Sequence, residues 1–215
     1  HLAASPVAAN SERNDWKING VFQWSELTGA WTTTALTAVV PGHGINIRQE
    51  ETSDGMISFY GPIGIGDISV EASSPYADAV GPDANCFDRT CVAGRSPENP
   101  GGRGWNLLGN PYPSAILVED FIAANYSAVP GQSQFDPNHV ALYLFDGTGR
   151  RYYYLARSTG WPSGTELNET YIQAGQGFFV LAMNDGSEFQ FTRAMQDHST
   201  GTPMLKSGGG ADGRW

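Results

Sequence analysis

The chain has 215 residues, of which 27 are glycine and 13 proline, while only 16% are charged and 12% are aromatic. So many turn formers beside so many rings predict short strands joined by tight turns, in a chain long enough to bury a core. Twelve basic against 22 acidic side chains give a formal charge of −10, which excludes a basic nucleic-acid groove and an anionic membrane surface.

No run of about 18 apolar residues is present to span a bilayer. No basic-then-apolar leader opens the chain, so any export signal is expected to have been removed or to lie outside these residues.

Taken in chain order, short β-branched or aromatic runs bounded by Gly, Pro or Asp predict strands at 21–24, 44–48, 56–60 and 68–71. The same signature recurs at 140–145, 151–155, 177–181 and 188–192. Leu27-Thr28-Gly29, Asp54-Gly55, Asp146-Gly147 and Asp185-Gly186 supply the turn chemistry between them. One short helix is expected over 114–126, with Ser114 as its N-cap after Pro113. Residues 77–103 and 129–138 read as long loops, and 207–213 as a flexible tail.

Cys86 and Cys91 are the only cysteines, five positions apart in a loop rich in Asp, Gly and Pro. That spacing suits a local disulfide, with free thiols as the alternative, and a disulfide would place the protein outside the reducing cytosol. Two cysteines cannot complete a four-ligand zinc site, and His1, His43, His139 and His198 show no ligand spacing.

An internal repeat organises the chain. Pro41-Gly42-His43-Gly44 launches one apolar strand, and Ala174-Gly175-Gln176-Gly177 launches another. Each is preceded by an aromatic hairpin (residues 22–31; residues 143–152) and followed by an Asp-Gly turn and an alternating strand. The expected fold is all-β: two related antiparallel sandwich-like or jelly-roll-like halves from a duplication, residues 1–101 and 102–215, with at most one short helix. Joining the tail Gly213-Arg214-Trp215 to the head His1-Leu2-Ala3-Ala4-Ser5-Pro6 approximates the opening of the second half, Gly102-Arg103-Gly104-Trp105-Asn106-Leu107-Leu108-Gly109-Asn110-Pro111. The chain is therefore expected to be a segment of a longer repeat protein.

That opening, continued by Tyr112-Pro113-Ser114 and later by Gly175-Gln176-Gly177-Phe178-Phe179-Val180, resembles the β-rich modules of large Bacteroidota surface proteins exported by the type nine secretion route. The resemblance covers most of the chain. It implies an extracellular or cell-surface location but no reaction, and it carries over no catalytic residue.

No nucleophile elbow, phosphate loop, zinc-helix motif or dinucleotide fingerprint occurs. Glu50-Glu51, Glu119-Asp120 and Glu166 with Glu169 are the nearest approaches to a carboxylate pair, and they read as solvated surface charges. Asp83, Asn85 and Asp88 in the cysteine loop offer oxygen ligands for calcium, or simply cap turns. Trp24, Trp31, Trp161, Tyr152 and Tyr154 are candidates for a ring-stacking ligand surface, with core packing as the alternative; Trp105 is expected in the core. In Arg151-Tyr152-Tyr153-Tyr154 the pleat turns Tyr153 away from its two neighbours.

These features point to a non-catalytic structural or adhesive module whose partners are neighbouring copies or domains, with no cofactor beyond a possible calcium. A carbohydrate-binding module attached to a polysaccharide-degrading enzyme is the second reading.

Overall fold

A computed structural model describes residues 18–33, 40–49, 66–74, 104–129, 131–137, 139–146, 151–156 and 171–197. Twelve strands and one α-helix occur among them: β1 (Ile18–Ser25), β2 (Ala30–Thr33), β3 (Asn46–Gln49), β4 (Ile68–Glu71), β5 (Trp105–Gly109), β6 (Ala115–Leu117), α1 (Val118–Asn125), β7 (Ala141–Asp146), β8 (Arg151–Ala156), β9 (Tyr171–Ile172), β10 (Gly177–Leu181), β11 (Glu188–Phe191) and β12 (Gln196–Asp197). The fold is all-β and sandwich-like, and every pairing is antiparallel. The cysteine loop with Cys86 and Cys91, the calcium candidates Asp83, Asn85 and Asp88, the carboxylates Glu50, Glu51, Glu166 and Glu169, the strand at 56–60 and Trp161 lie outside the described residues.

The largest sheet runs β5-β10-β7-β8. Alternation decides which residues it buries. Leu108, Phe178, Val180, Leu142, Leu144 and Leu155 point to one side and are buried in the core. Opposite them lie Val70 of β4, Phe189 and Phe191 of β11, and the buried face of α1. Phe121 of α1 is the hub of this core: its ring lies 4.9–6.2 Å from those of Phe135, Phe178, Phe189 and Phe191.

The helix is shorter than its sequence suggests. Residues 115–117 form β6, which pairs with β12 on one side and β9 on the other, so its backbone groups are satisfied by ladders instead of a helical turn. Ser114 is not a cap: it is buried, and its hydroxyl donates to Oε1 of Gln196 at 2.9 Å. Leu117 takes the N-cap position without a side-chain bond, and Glu119 and Asp120 meet the positive end of the helix. Val118, Phe121, Ile122 and Asn125 then form its buried stripe.

Segments from both sides of residue 101 meet edge to edge. β4 pairs with β11 from Ile68↔Phe191 to Glu71↔Glu188. Gly42 and Gly44 lie along the edge of β5 that β10 leaves open: Gly44 donates to the Leu107 carbonyl and Gly109 to the Gly42 carbonyl, both at 2.9 Å. The two repeated glycine turns share one conformation. His43 N–H closes on Val40 O and Gln176 N–H on Gln173 O, with φ of 79° at Gly42 and 73° at Gly175. They clasp β5 from opposite edges.

Positive φ alone costs a non-glycine residue about 1–2 kcal/mol. Gly131 has φ of 79° with open space around it, whereas a methyl on Gly42 would run into Cγ2 of Val70. Gly131→Ala should therefore lower stability by about 1–2 kcal/mol, and Gly42→Ala by a further ~1–3 kcal/mol from overpacking. Paired urea titrations check this; equal midpoints for the two variants would refute the packing account.

Candidate functional site

The outward face of the large sheet carries the other half of the alternation. Phe179 of β10 faces Leu107 of β5 and Tyr143 of β7, and Tyr143 faces Tyr154 of β8. One step along, Phe145 pairs with Tyr152, whose rings lie 5.1 Å apart. Tyr153 pairs with the buried Leu144 on the opposite side, as the pleat requires.

The β1–β2 hairpin leans onto this face. Trp24 and Trp31 are cross-strand partners and touch edge to face at 5.5 Å. Both also meet Phe179, at 5.4 and 5.9 Å. Two polar anchors fix the hairpin. The Trp24 indole N–H donates to the Trp105 carbonyl at 2.7 Å. The buried Glu26 carboxylate accepts from the backbone N–H groups of Gly104 and Trp105.

Together Trp24, Trp105, Tyr143, Tyr152 and Phe179 line a cleft of about 290 Å³. Trp105 and Tyr143 form one corner, 4.9 Å apart and 82° to each other. Trp31, Phe145 and Tyr152 remain 39%, 43% and 51% exposed at its rim. Burial raises the Tyr143 hydroxyl to about 12, with lesser contributions from the Asp136 charge and Tyr154. Asp136 sits with His139, whose Nδ1 lies 3.1 Å from its Oδ1.

Behind Trp24 lies a second, more polar recess of about 180 Å³, whose lining includes Gln23, His43, Glu71 and Asn106. Partial burial lowers the His43 pKa and favours its neutral form. The Asn106 amide is already committed, to Ser73 N–H and O and to Gly104 O, all at 2.9 Å.

Of the candidates in the sequence, Trp24, Trp31 and Tyr152 converge here. Tyr154 shares the face, beside Tyr143, without lining the cleft. Trp105 is not core: it is half-buried and forms a wall of the cleft. Tyr143 and Phe179 complete the walls, and the strand parity of Tyr143 with Phe145 on β7 was the signal that could have found Tyr143. Glu119 and Asp120 are exposed in the first turn of α1. Among the described residues, no three His, Cys, Asp or Glu side chains converge to hold a metal ion, and no helix is long and apolar enough to cross a membrane.

Two predictions follow from this geometry. Glu26→Ala leaves two backbone donors without their carboxylate and should cost about 1–3 kcal/mol, with a red shift of tryptophan emission as the hairpin loosens. Unchanged emission and stability would refute the anchor. Tyr143 and Tyr112 both ionise near 12 in the folded chain, against about 10 unfolded. Because the folded values are raised, their contribution is complete below pH 10 and is lost as pH climbs toward 12. Tyrosinate absorbance should therefore lag for part of the signal, and Tyr143→Phe should remove part of that lag.

Neither the curated proteins nor the solved structures contain a match to the chain. A family model does match, over residues 2–209. The chain thus belongs to the family described as a domain of unknown function, DUF8693.

Proposed function

We infer that the chain is a non-catalytic structural and adhesive module of an extracellular surface protein, and that its aromatic face is the contact surface. One observation carries this reading: Tyr152, 51% exposed in a cleft walled by further rings, packs on the 43% exposed Phe145, while Trp31, 39% exposed, touches the same Phe179 as Tyr152. Clustered exposed rings mark interaction sites, whereas apolar residues exposed singly do not. The resemblance to repeat modules of Bacteroidota surface proteins supports the extracellular location and makes neighbouring copies or domains of the same protein the natural partners.

Carbohydrate recognition is the second reading. The polar recess favours it, because it sets Gln23, His43 and Glu71 beside the Trp24 indole, the mixture of ring and hydrogen-bonding groups that a pyranose uses.

Sedimentation velocity over a concentration series separates the two. Self-association that rises with concentration and weakens about tenfold in Tyr152→Ala, the loss of one moderate interface contact, supports the adhesive module. A chain that stays monomeric throughout, yet is retarded in polysaccharide-containing native gels, would transfer the assignment to a carbohydrate-binding module.

A further inference from the structure

The angles between the cleft walls restrict what can fill it. A sugar ring stacks on a flat aromatic face and brings a hydrogen-bonding group at nearly every carbon. Here the rings stand upright against one another: Trp24 to Phe179 at 88°, Tyr152 to Phe179 at 75°, and Trp105 to Tyr143 at 82°. They meet edge to face around the cleft, and among the described residues no amide or carboxylate side chain lines it. Its 290 Å³ lies just below the range of drug-sized pockets, about 300–1,000 Å³, so it suits a compact group.

Electrostatics restrict the occupant further. Aromatic faces carry negative potential and attract cations. Two carboxylates stand behind the Trp105–Tyr143 corner, Glu26 on the backbone of Trp105 and Asp136 within Coulombic reach of Tyr143. The chain as a whole carries −10, which draws cations toward it. Asp136 pairs with His139, whose Nδ1 lies 3.1 Å from its Oδ1.

A bare ammonium would leave its N–H donors unsatisfied among rings, a costly desolvation. A fully alkylated one has no donors to satisfy and presents methyl groups to every wall. The Trp24 indole, already pinned to the Trp105 carbonyl, needs little further ordering to receive it.

We propose that the cleft lined by Trp24, Trp105, Tyr143, Tyr152 and Phe179 binds a trimethylammonium group carried on a neutral or cationic stem. This deepens the reading of the aromatic face as the contact surface and rests on it: the group is what a neighbouring domain or other partner bearing it inserts there, since an unmodified copy of this chain has none. An anionic stem is disfavoured, because the phosphate of a phosphocholine headgroup would meet the acidic chain.

Tryptophan fluorescence of the full chain, titrated with choline, tests the site. Choline should bind at least about tenfold more tightly than its uncharged tert-butyl isostere, the margin a desolvated cation–π contact supplies. Phosphocholine should bind more weakly than choline, and trimethyllysine methyl ester at least as tightly. Trp24→Ala should abolish binding. Because that change can also release the hairpin, Tyr152→Ala provides the second test: it alters a half-exposed ring and should weaken choline at least about fivefold with the thermal midpoint retained.

Equal binding of the isostere, phosphocholine binding tighter than choline, or undiminished binding by Tyr152→Ala would each overturn the proposal. Its failure is distinguishable from that of the adhesive reading. Choline binding by a chain that never self-associates keeps the site and removes the adhesive role. Self-association that Tyr152→Ala weakens, without choline binding, removes the site alone.

Discussion

The backbone of β5 is the constraint on which the rest of the molecule depends. A buried backbone N–H or C=O left unpaired costs roughly 1–3 kcal/mol, and this strand runs between two packed layers. β10 satisfies one edge from Gly177↔Gly109 to Leu181↔Trp105. The other edge is closed by Gly42 and Gly44, which approach closely because neither has a side chain to collide with Val70 or Leu107. Glu26 receives the first N–H groups, Trp24 donates to the first strand carbonyl, and the Asn110 N–H continues the run onto Gln176 O. Segments as distant as residues 24, 42 and 176 thus converge on five residues. The aromatic cleft is a consequence: Trp24 stands beside Phe179 because its indole is tied to Trp105.

Asparagine side chains extend the same economy where strands run out. Asn125, at the end of α1, accepts from Gln190 N–H at 2.7 Å and donates to Gln190 O at 3.0 Å, so one amide replaces a neighbouring strand on β11. Asn106 does the same for Ser73. Asn110, fully buried, donates to Ser114 O and Ile172 O and accepts from Tyr112 N–H. The hydroxyl of Tyr112 in turn donates to Phe191 O at 2.8 Å. The Asn-Pro-Tyr-Pro corner is thereby a joint between layers, with two prolines holding its backbone open and the amide collecting its loose ends.

How much of this could be read from the chain depends on range. β4 and β10 were legible to the residue, because β-branched and aromatic runs bounded by Gly or Asp are local signals. The two glycine turns were legible as turns too, and the structure puts Gly42 and Gly175 at φ of 79° and 73°, where glycine is most at ease. The helix was visible but began four residues late. Ala115-Ile116-Leu117 suits either state, and what decided it was pairing with Ile172 and Gln196, some 55 and 80 positions away. The site was half legible. Trp24, Trp31 and Tyr152 announce themselves as rings near turns. Trp105 looked like core because Leu107 and Leu108 follow it, and nothing local says which face of β5 a second hairpin will cover.

The aromatic face carries a free-energy argument of its own. A ring buries about 150–250 Å² when enclosed. Leaving some two-fifths to a half of Trp31, Phe145 and Tyr152 in water therefore forfeits roughly 2 kcal/mol apiece at 25 cal/mol per Å². Three such residues withhold about 6 kcal/mol, comparable to the whole stability of many domains. The same chain encloses Phe121, Phe135, Phe178, Phe189 and Phe191 almost completely on the other side of the sheet, so the fold is able to cover rings. The outward rings are nonetheless held firmly, by Glu26, by the Trp24 indole and by edge-to-face contacts at 5–6 Å. Apolar surface that is anchored, clustered and exposed is the physical ground on which the proposed contact rests.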